Sequence, residues 1–321
     1  MQFGQTGSAL QRGRLAALNA SCARRALLPI AKVVQKGNPG LEPLGIWRMS
    51  VKTTFNLESH VQSPMHTTPE MAVNRSGEAG ARRSILEHVR EFHNERIAKI
   101  LSAQAPVSML DSKMLVLHVM PFSTIDERRS KLFDQICRNR DRFWPIGYRG
   151  NAPNSLINIH GLLIGSNDDG LQKPQRAYVY VLPKSSVEAV VCRLGRGSAG
   201  NAIELHYFQA KIIKYARIYA KSLHSVGIEF PMAVIASLAG VNGMRLLKDC
   251  IRHLAEDEPY GPLNEDQYCF GETIFEAVPT DDNQCAKILR DPILDCLANT
   301  AGLPSPPYFD DYGNYTGRFG V

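Results

Sequence analysis

The sequence predicts an α+β fold, a mainly antiparallel sheet covered by helices. Three observations carry that class. The run Met114 to Pro121 is apolar, of strand length, and closed by a proline that cannot pass on a ladder. Further short apolar runs follow it, joined by polar turns too short for a crossover helix, which makes the neighbours antiparallel. Amphipathic stretches of helical period lie before, between and after these runs.

Residues 1–80 lack sustained periodicity and are rich in Gly, Pro, Ser, Thr and Asn, so they read as a poorly ordered leader or the remnant of an altered N-terminal domain. Their acid-poor, Arg-containing start also matches a mitochondrial transit pattern. Residues 81–321 read as a single α+β domain. Ser84-Ile-Leu-Glu87 has the spacing of a capping box, which predicts a helix over 84–102 with Ile85, Val89, Phe92 and Ile100 on one face. After the organising strand, Ile125, Leu132, Phe133 and Ile136 form an apolar stripe beside a basic one, Arg128, Lys131, Arg138 and Arg142. Leu156 to Ile164 reads as one strand, Asn167 to Gly170 as a polar turn, and Ala177 to Leu182 with Val187 to Leu194 as a hairpin across Pro183 to Ser186.

The next helix is expected from Asn201 to just before Gly227. Leu205, Phe208, Ile212, Ala216, Tyr219, Leu223 and Val226 face the sheet, and Lys211, Lys214, Arg217 and Lys221 lie opposite. Strands Pro231 to Leu238 and Gly271 to Val278 follow, with Gly240 to Gly243 as a turn. Helical pattern resumes at Asn283 and breaks at Asp291-Pro292, where proline suits the first position of a second helix that Gly302 and Pro304 stop.

Composition excludes several classes. The 321 residues, 44% hydrophobic and 21% charged, are ordinary for a globular chain. No apolar run approaches the roughly 18 residues of a membrane span. Seven cysteines show no paired spacing, which suits reduced thiols in a cytoplasmic protein. The net charge is +6, but the first 50 residues hold seven Lys/Arg and one acid, so bulk charge gives the remainder no nucleic-acid argument. Locally the chain is polarised: residues 121–150 carry seven basic and four acidic side chains, and 255–321 carry three basic and thirteen acidic.

Two motifs reach towards function. The basic stripe Arg128, Lys131, Arg138 and Arg142 could meet nucleic-acid phosphates; a solvated helix face is the plainer reading. Gly195-Arg-Gly197-Ser-Ala-Gly200 stands between a strand and a helix, where glycines let a backbone approach phosphate. Against it, the preceding strand belongs to a hairpin, and strand Pro231 to Leu238 ends without a ribose-binding carboxylate. His118, His160 and His206 sit within or beside apolar runs and read as histidines satisfied by backbone. Asp168 and Asp169 suit a turn, and Cys250 with His253 is one Cys/His pair, too few ligands for zinc. No catalytic residue, metal site or cofactor follows from these patterns.

Three passages add a resemblance. Val89-Arg-Glu-Phe-His-Asn-Glu-Arg-Ile97 through Leu115-Val-Leu-His-Val-Met-Pro121 is the first. The hairpin Ala177-Tyr-Val-Tyr-Val to Val187-Glu-Ala189 is the second, and Leu289-Arg-Asp-Pro-Ile-Leu-Asp-Cys-Leu-Ala-Asn-Thr-Ala-Gly302 to Tyr308-Phe-Asp310 is the third. Together, over about residues 82–313, they resemble the C-terminal region of bacterial proteins carrying a Schlafen-type AlbA domain. The resemblance implies a DNA-binding or ATP-binding transcriptional regulator. The AlbA domain itself would precede Ser84, and residues 1–80 do not read as its strands and helices, so no binding residue is carried over. The expectation is a non-enzymatic accessory or regulatory module acting with nucleic acid or a partner protein. The alternative is a nucleotide-dependent hydrolase or nuclease-like enzyme.

Overall fold

A computed structural model describes residues 69–122, 129–196, 202–247, 261–300 and 302–317. All of them fall in one compact unit, His66–Val321. The chain runs α1 (Pro69–Leu101), β1 (Met114–Pro121), α2 (Arg129–Arg138), a 3-10 turn (Arg140–Arg142), β2 (Asn154–Asn158), β3 (Gly161–Gly165), β4 (Ala177–Val181) and β5 (Val187–Cys192). It continues through β6 (Gly195–Arg196), β7 (Ala202–Glu204), α3 (Leu205–Ser225), β8 (Met232–Ala239), β9 (Arg245–Leu247), β10 (Gln267–Cys269), β11 (Thr273–Phe275), α4 (Asp282–Leu289), a π turn (Arg290–Asp295) and α5 (Cys296–Thr300).

The main sheet has the order β10-β8-β1-β5-β4-β3-β2, with β11 also on β8, and every pair in it is antiparallel. The fold is therefore the α+β class read from the sequence. Because strand side chains alternate, each central strand is apolar on both faces and feeds two cores. Leu115, Leu117 and Val119 of β1, Val187, Ala189 and Val191 of β5 and Val234, Ala236 and Leu238 of β8 pack with Phe208, Ile212, Ala216, Tyr219 and Leu223 of α3 and with α4 and α5. The intervening residues Val116, Tyr178, Tyr180 and Val190 pack with Ile97 and Ile100 of α1, and Met120, Ala233 and Ile235 with Val89. The sheet is thus the middle of three layers. Gly240 ends β8 at φ +70°, and a Cβ there would stand 2.1 Å from the Ser112 carbonyl oxygen, so the turn beside β1 admits only glycine.

Several boundaries differ from the sequence reading. Helix α1 begins at Pro69, which leaves Ser84 in mid-helix and the capping box unused. The expected strand Leu156 to Ile164 is a hairpin, because Gly161 at φ +145° allows Asn158 to pair with it across Ile159-His160. Ala202–Glu204 is a strand that runs parallel to β9 and pairs with β6, so α3 starts at Leu205. Strand β10, three residues long, carried no pattern to read.

Helix α4 opens on Asp281, whose carboxylate accepts from the Gln284 N–H at 2.8 Å. Pro292 does not start a separate helix. The helix widens into the π turn, and the Thr273 hydroxyl donates at 3.4 Å to the Ile288 carbonyl that proline cannot serve. No helix among the described residues is long and apolar enough to cross a membrane.

Candidate functional site

Two polar assemblies stand out, one on each face of the sheet. The first lies under α1. His93 and Arg96 are three residues apart and share the helix face that meets the sheet. Strand alternation brings His118 of β1, Glu188 of β5, Tyr178 and Tyr180 of β4 and Ser237 of β8 to that same face. Register aligns them: His118 pairs with Glu188, Glu188 with Tyr180, and Ser237 with Val116, diagonal to His118.

The atoms form one chain. Ser237 Oγ is 2.6 Å from His93 Nε2, His93 Nδ1 is 2.6 Å from His118 Nδ1, and His118 Nε2 is 3.2 Å from Glu188 Oε2. Arg96 closes a fork on the same carboxylate, Nε to Oε2 at 2.6 Å and Nη2 to Oε1 at 2.9 Å, and the Tyr178 hydroxyl donates to Oε1 at 2.9 Å. Burial raises the Glu188 carboxyl, but the bonds from Arg96 and His118 outweigh it and hold it at about 2. Burial, then the neighbouring His118, keeps His93 well below the ordinary imidazole value.

A carboxylate only accepts, so with one proton per imidazole the order of donors is fixed. Ser237 donates to His93, His93 to His118, and His118 to Glu188. That order resembles the relay that activates a serine nucleophile. Ser237, His93, His118 and Glu188 are, however, all 0% exposed, so no substrate reaches the hydroxyl in this conformation. The assembly pins α1 to the sheet.

The second assembly is a cavity of about 400 Å³ on the other face, at the mouth of β3 and β4. One wall is the segment after the 3-10 turn, anchored by buried Phe143 and Ile146. Gly147 lies in it at φ +74°, its N–H donating to the Tyr215 hydroxyl at 2.7 Å. A Cβ on Gly147 would lie 3.4 Å from Lys211 Nζ and 3.5 Å from the Tyr207 hydroxyl, so α3 presents both side chains to this wall. The opposite wall holds Ser166, Asp168, Arg176 and Ala177.

The β3–β4 loop in that wall is held by buried Gln175. Its amide donates to the Gly170 and Lys173 carbonyls at 2.9 and 2.6 Å and accepts from the Asn167 N–H at 2.8 Å. Tyr148 ties the walls together by donating to Asp168 Oδ1 at 2.7 Å.

Two cations line this cavity and a third lies against its wall. Arg149 and Arg176 line the cavity. Lys211, only 9% exposed, stands over the Tyr207 and Tyr215 rings at 4.7 and 5.7 Å. Burial depresses its ammonium, and Lys214, Arg149 and Arg176 depress it further, to about 8. Among the described residues, no carboxylate forms an ion pair with any of the three. The pocket is therefore suited to an anion.

Sequence-predicted residues fall elsewhere. Arg138 closes α2 and Arg142 closes the 3-10 turn; both are exposed and neither lines the cavity. Lys131 lies on α2, where only its backbone is described, and Arg128 lies outside the described residues. Gly195 pairs with Ile203 in the β6–β7 ladder, with β7 between it and the first turn of α3; Gly197 and Gly200 lie outside the described residues, as do Cys250 and His253. His160 is exposed in the β2–β3 turn, and His206 is buried beside the Tyr308 ring at 5.0 Å. His118 is not satisfied by backbone: its partners are the His93 and Glu188 side chains, because the strand carries it beneath α1.

The sequence did hold a signal for the buried chain. His118 and Glu188 each interrupt an otherwise apolar strand, and His93 and Arg96 follow Val89 at core-facing helical spacing. No family model, no curated protein and no solved structure matches this chain.

Proposed function

We propose that the chain is a non-enzymatic accessory or regulatory module that engages nucleic-acid phosphates through the cavity between the β3–β4 loop and α3. One observation carries this reading: Arg149 and Arg176 line a single cavity, Lys211 lies against its Gly147 and Tyr207 wall, and no carboxylate among the described residues forms an ion pair with any of the three. Uncompensated cations held so close repel one another, and an anion relieves that repulsion. Tyr148 and Tyr207 line the same cavity, and tyrosine is among the side chains that nucleic-acid sites use. The resemblance to the region that follows a Schlafen-type AlbA domain agrees with a regulatory role in the cytoplasm. The competing reading, a nucleotide-dependent hydrolase, draws on the Ser237-to-Glu188 donor order, and the full burial of Ser237 weighs against it.

Fluorescence anisotropy with a labelled single-stranded oligonucleotide tests the proposal. Replacing Arg149, Arg176 and Lys211 together by Gln should weaken binding by at least about tenfold. Replacing Arg128, Lys131, Arg138 and Arg142 together by Gln should leave it within about twofold. The reverse pattern would move the interface to α2 and end the cavity reading.

A further inference from the structure

We infer that β2 is a docking edge for a second copy of this chain: two β2 strands pair antiparallel about a two-fold axis at Leu156 and join the two sheets into one. β2 is the last strand in the sheet order, bonded to β3 on one side and to no described strand on the other. Such an edge presents a row of free backbone donors and acceptors, and proteins blunt it with charge, proline, a bulge or brevity. The opposite edge is blunted in that way, because β10 and β11 are three residues each. β2 has none of these devices. Asn154-Ser-Leu-Ile-Asn158 is of ordinary strand length, pairs with β3 residue for residue, and holds neither proline nor charge.

Its side chains are open as well. Alternation sends Leu156 and Ile157 to opposite faces of the sheet, yet both are 49% exposed, so neither helical layer reaches out over β2. Ile159 in the adjoining turn is 88% exposed. A helix could cover one of these faces; a strand also takes up the hydrogen bonds of the edge.

The hairpin fixes which groups point outward. Its two-residue loop makes Asn158 and Gly161 a pair that exchanges both backbone hydrogen bonds, and ladder alternation then turns the bonds of Asn154, Leu156 and Asn158 towards β3. The N–H and C=O of Ser155 and Ile157 therefore point away from it. The two-fold register that engages all four groups sets Ser155 opposite the second copy's Ile157, Ile157 opposite its Ser155, and Leu156 opposite its own counterpart. Leu156 then occupies a non-hydrogen-bonded pair, where Cα atoms stand about 4.5 Å apart and side chains pack most closely.

Charge favours a copy of this chain as the occupant. From Gly150 to Gly161 the sequence has no Lys, Arg, Asp or Glu, so a strand identical to β2 meets no like charge along its length. A charged partner strand would find no counter-charge there, and an uncharged apolar one is what β2 itself supplies. Size sets the strength. Five residues a side bury less than the roughly 1,200 Å² of a standard stable interface, so the dissociation constant should be on the order of tens of micromolar. Because the two-fold axis stands perpendicular to the joined sheet, α3 of both copies lies on the same side of it.

Sedimentation velocity on the full chain, from about 1 to 200 µM, tests the contact. The parent should pass from monomer to dimer across that range. Leu156→Lys sets two like charges against each other at the axis and should keep the chain monomeric throughout. Ile157→Pro removes an outward N–H without touching the β3 ladder and should do the same. Thermal unfolding shows that both variants are folded. Under mild oxidant Leu156→Cys should cross-link to its own copy above the parent's background, since its Cα separation suits a disulfide. Asn158→Cys, which faces the second copy's Asn154, should not.

A parent that stays monomeric at every concentration would overturn the inference and leave the edge to a strand of another protein. A dimer that Leu156→Lys leaves intact would place the contact elsewhere and overturn it too. Equal cross-linking of the two cysteine variants would overturn the two-fold axis at Leu156.

Discussion

Replacing Arg96 by Leu is expected to lower the stability of the folded chain by about 3–5 kcal/mol, the usual loss when one partner of a buried ion pair is removed. Glu188 is wholly buried, and among the described residues the Arg96 fork is the cation that pairs with it, beside hydrogen bonds from the neutral His118 ring and the Tyr178 hydroxyl. Without the guanidinium the carboxylate either stays charged in a low dielectric or takes a proton at neutral pH, and either route costs free energy. Urea unfolding measures the loss. Adding Glu188→Gln to Arg96→Leu removes the stranded charge and keeps an amide oxygen to accept from His118, while the Tyr178 hydroxyl can turn to accept from the amide NH2, so the double variant should regain at least about 1 kcal/mol over the single one. A single-variant loss below about 1 kcal/mol would mean that the pair behaves as a solvated surface bridge.

Acid should lower the stability of the chain in two pH windows, each traceable to the chain of groups beneath α1. In the unfolded state an imidazole takes up a proton near 6.5, whereas folded His93 stays neutral until well below that. The unfolded state then binds more protons, so stability falls as pH drops below about 6.5. Glu188 has the depressed carboxyl: about 2 when folded against 4.5 as the reference. Its contribution, about 3 kcal/mol, is present above pH 4.5 and is lost as pH falls towards 2. Unfolding free energies measured at a series of pH values should therefore slope in both windows. His93→Leu should flatten the upper slope and leave the lower one; equal upper slopes in variant and parent would remove His93 from the account.

Much of the architecture was legible because it rests on local pattern. Met114 to Pro121 and the hairpin across Pro183 to Ser186 declare themselves by length, apolarity and turn residues. The α3 stripe from Leu205 to Leu223 likewise predicts the face that meets the sheet. Features that depend on distant partners were hidden. Lys211 repeats with Lys214, Arg217 and Lys221 as if on a solvent face, yet the segment around Gly147 covers it, and Arg217 is drawn into an ion pair with Asp282 at 2.6 Å.

Arg149 and Arg176 belong to different loops, one before β2 and one between β3 and β4, and only the fold brings them to one cavity. The seating of α1 is equally non-local: Arg82 and Arg90 of that helix reach Glu276 and Glu272 near β11. Polar residues inside apolar patterns, His118 and Glu188 above all, were the strongest unused signal, since a buried charge demands a partner.

The salt dependence of oligonucleotide binding, measured side by side for the parent and for the Arg149→Gln, Arg176→Gln, Lys211→Gln chain, tests the central claim most directly. For every phosphate of a single strand that a cation neutralises, the slope of log affinity against log salt steepens by about 0.7, so removing all three cations predicts a slope shallower by about 2 in the variant. Coincident lines of equal slope and equal affinity would show that the three cations meet no phosphate, and the account of the cavity would be wrong.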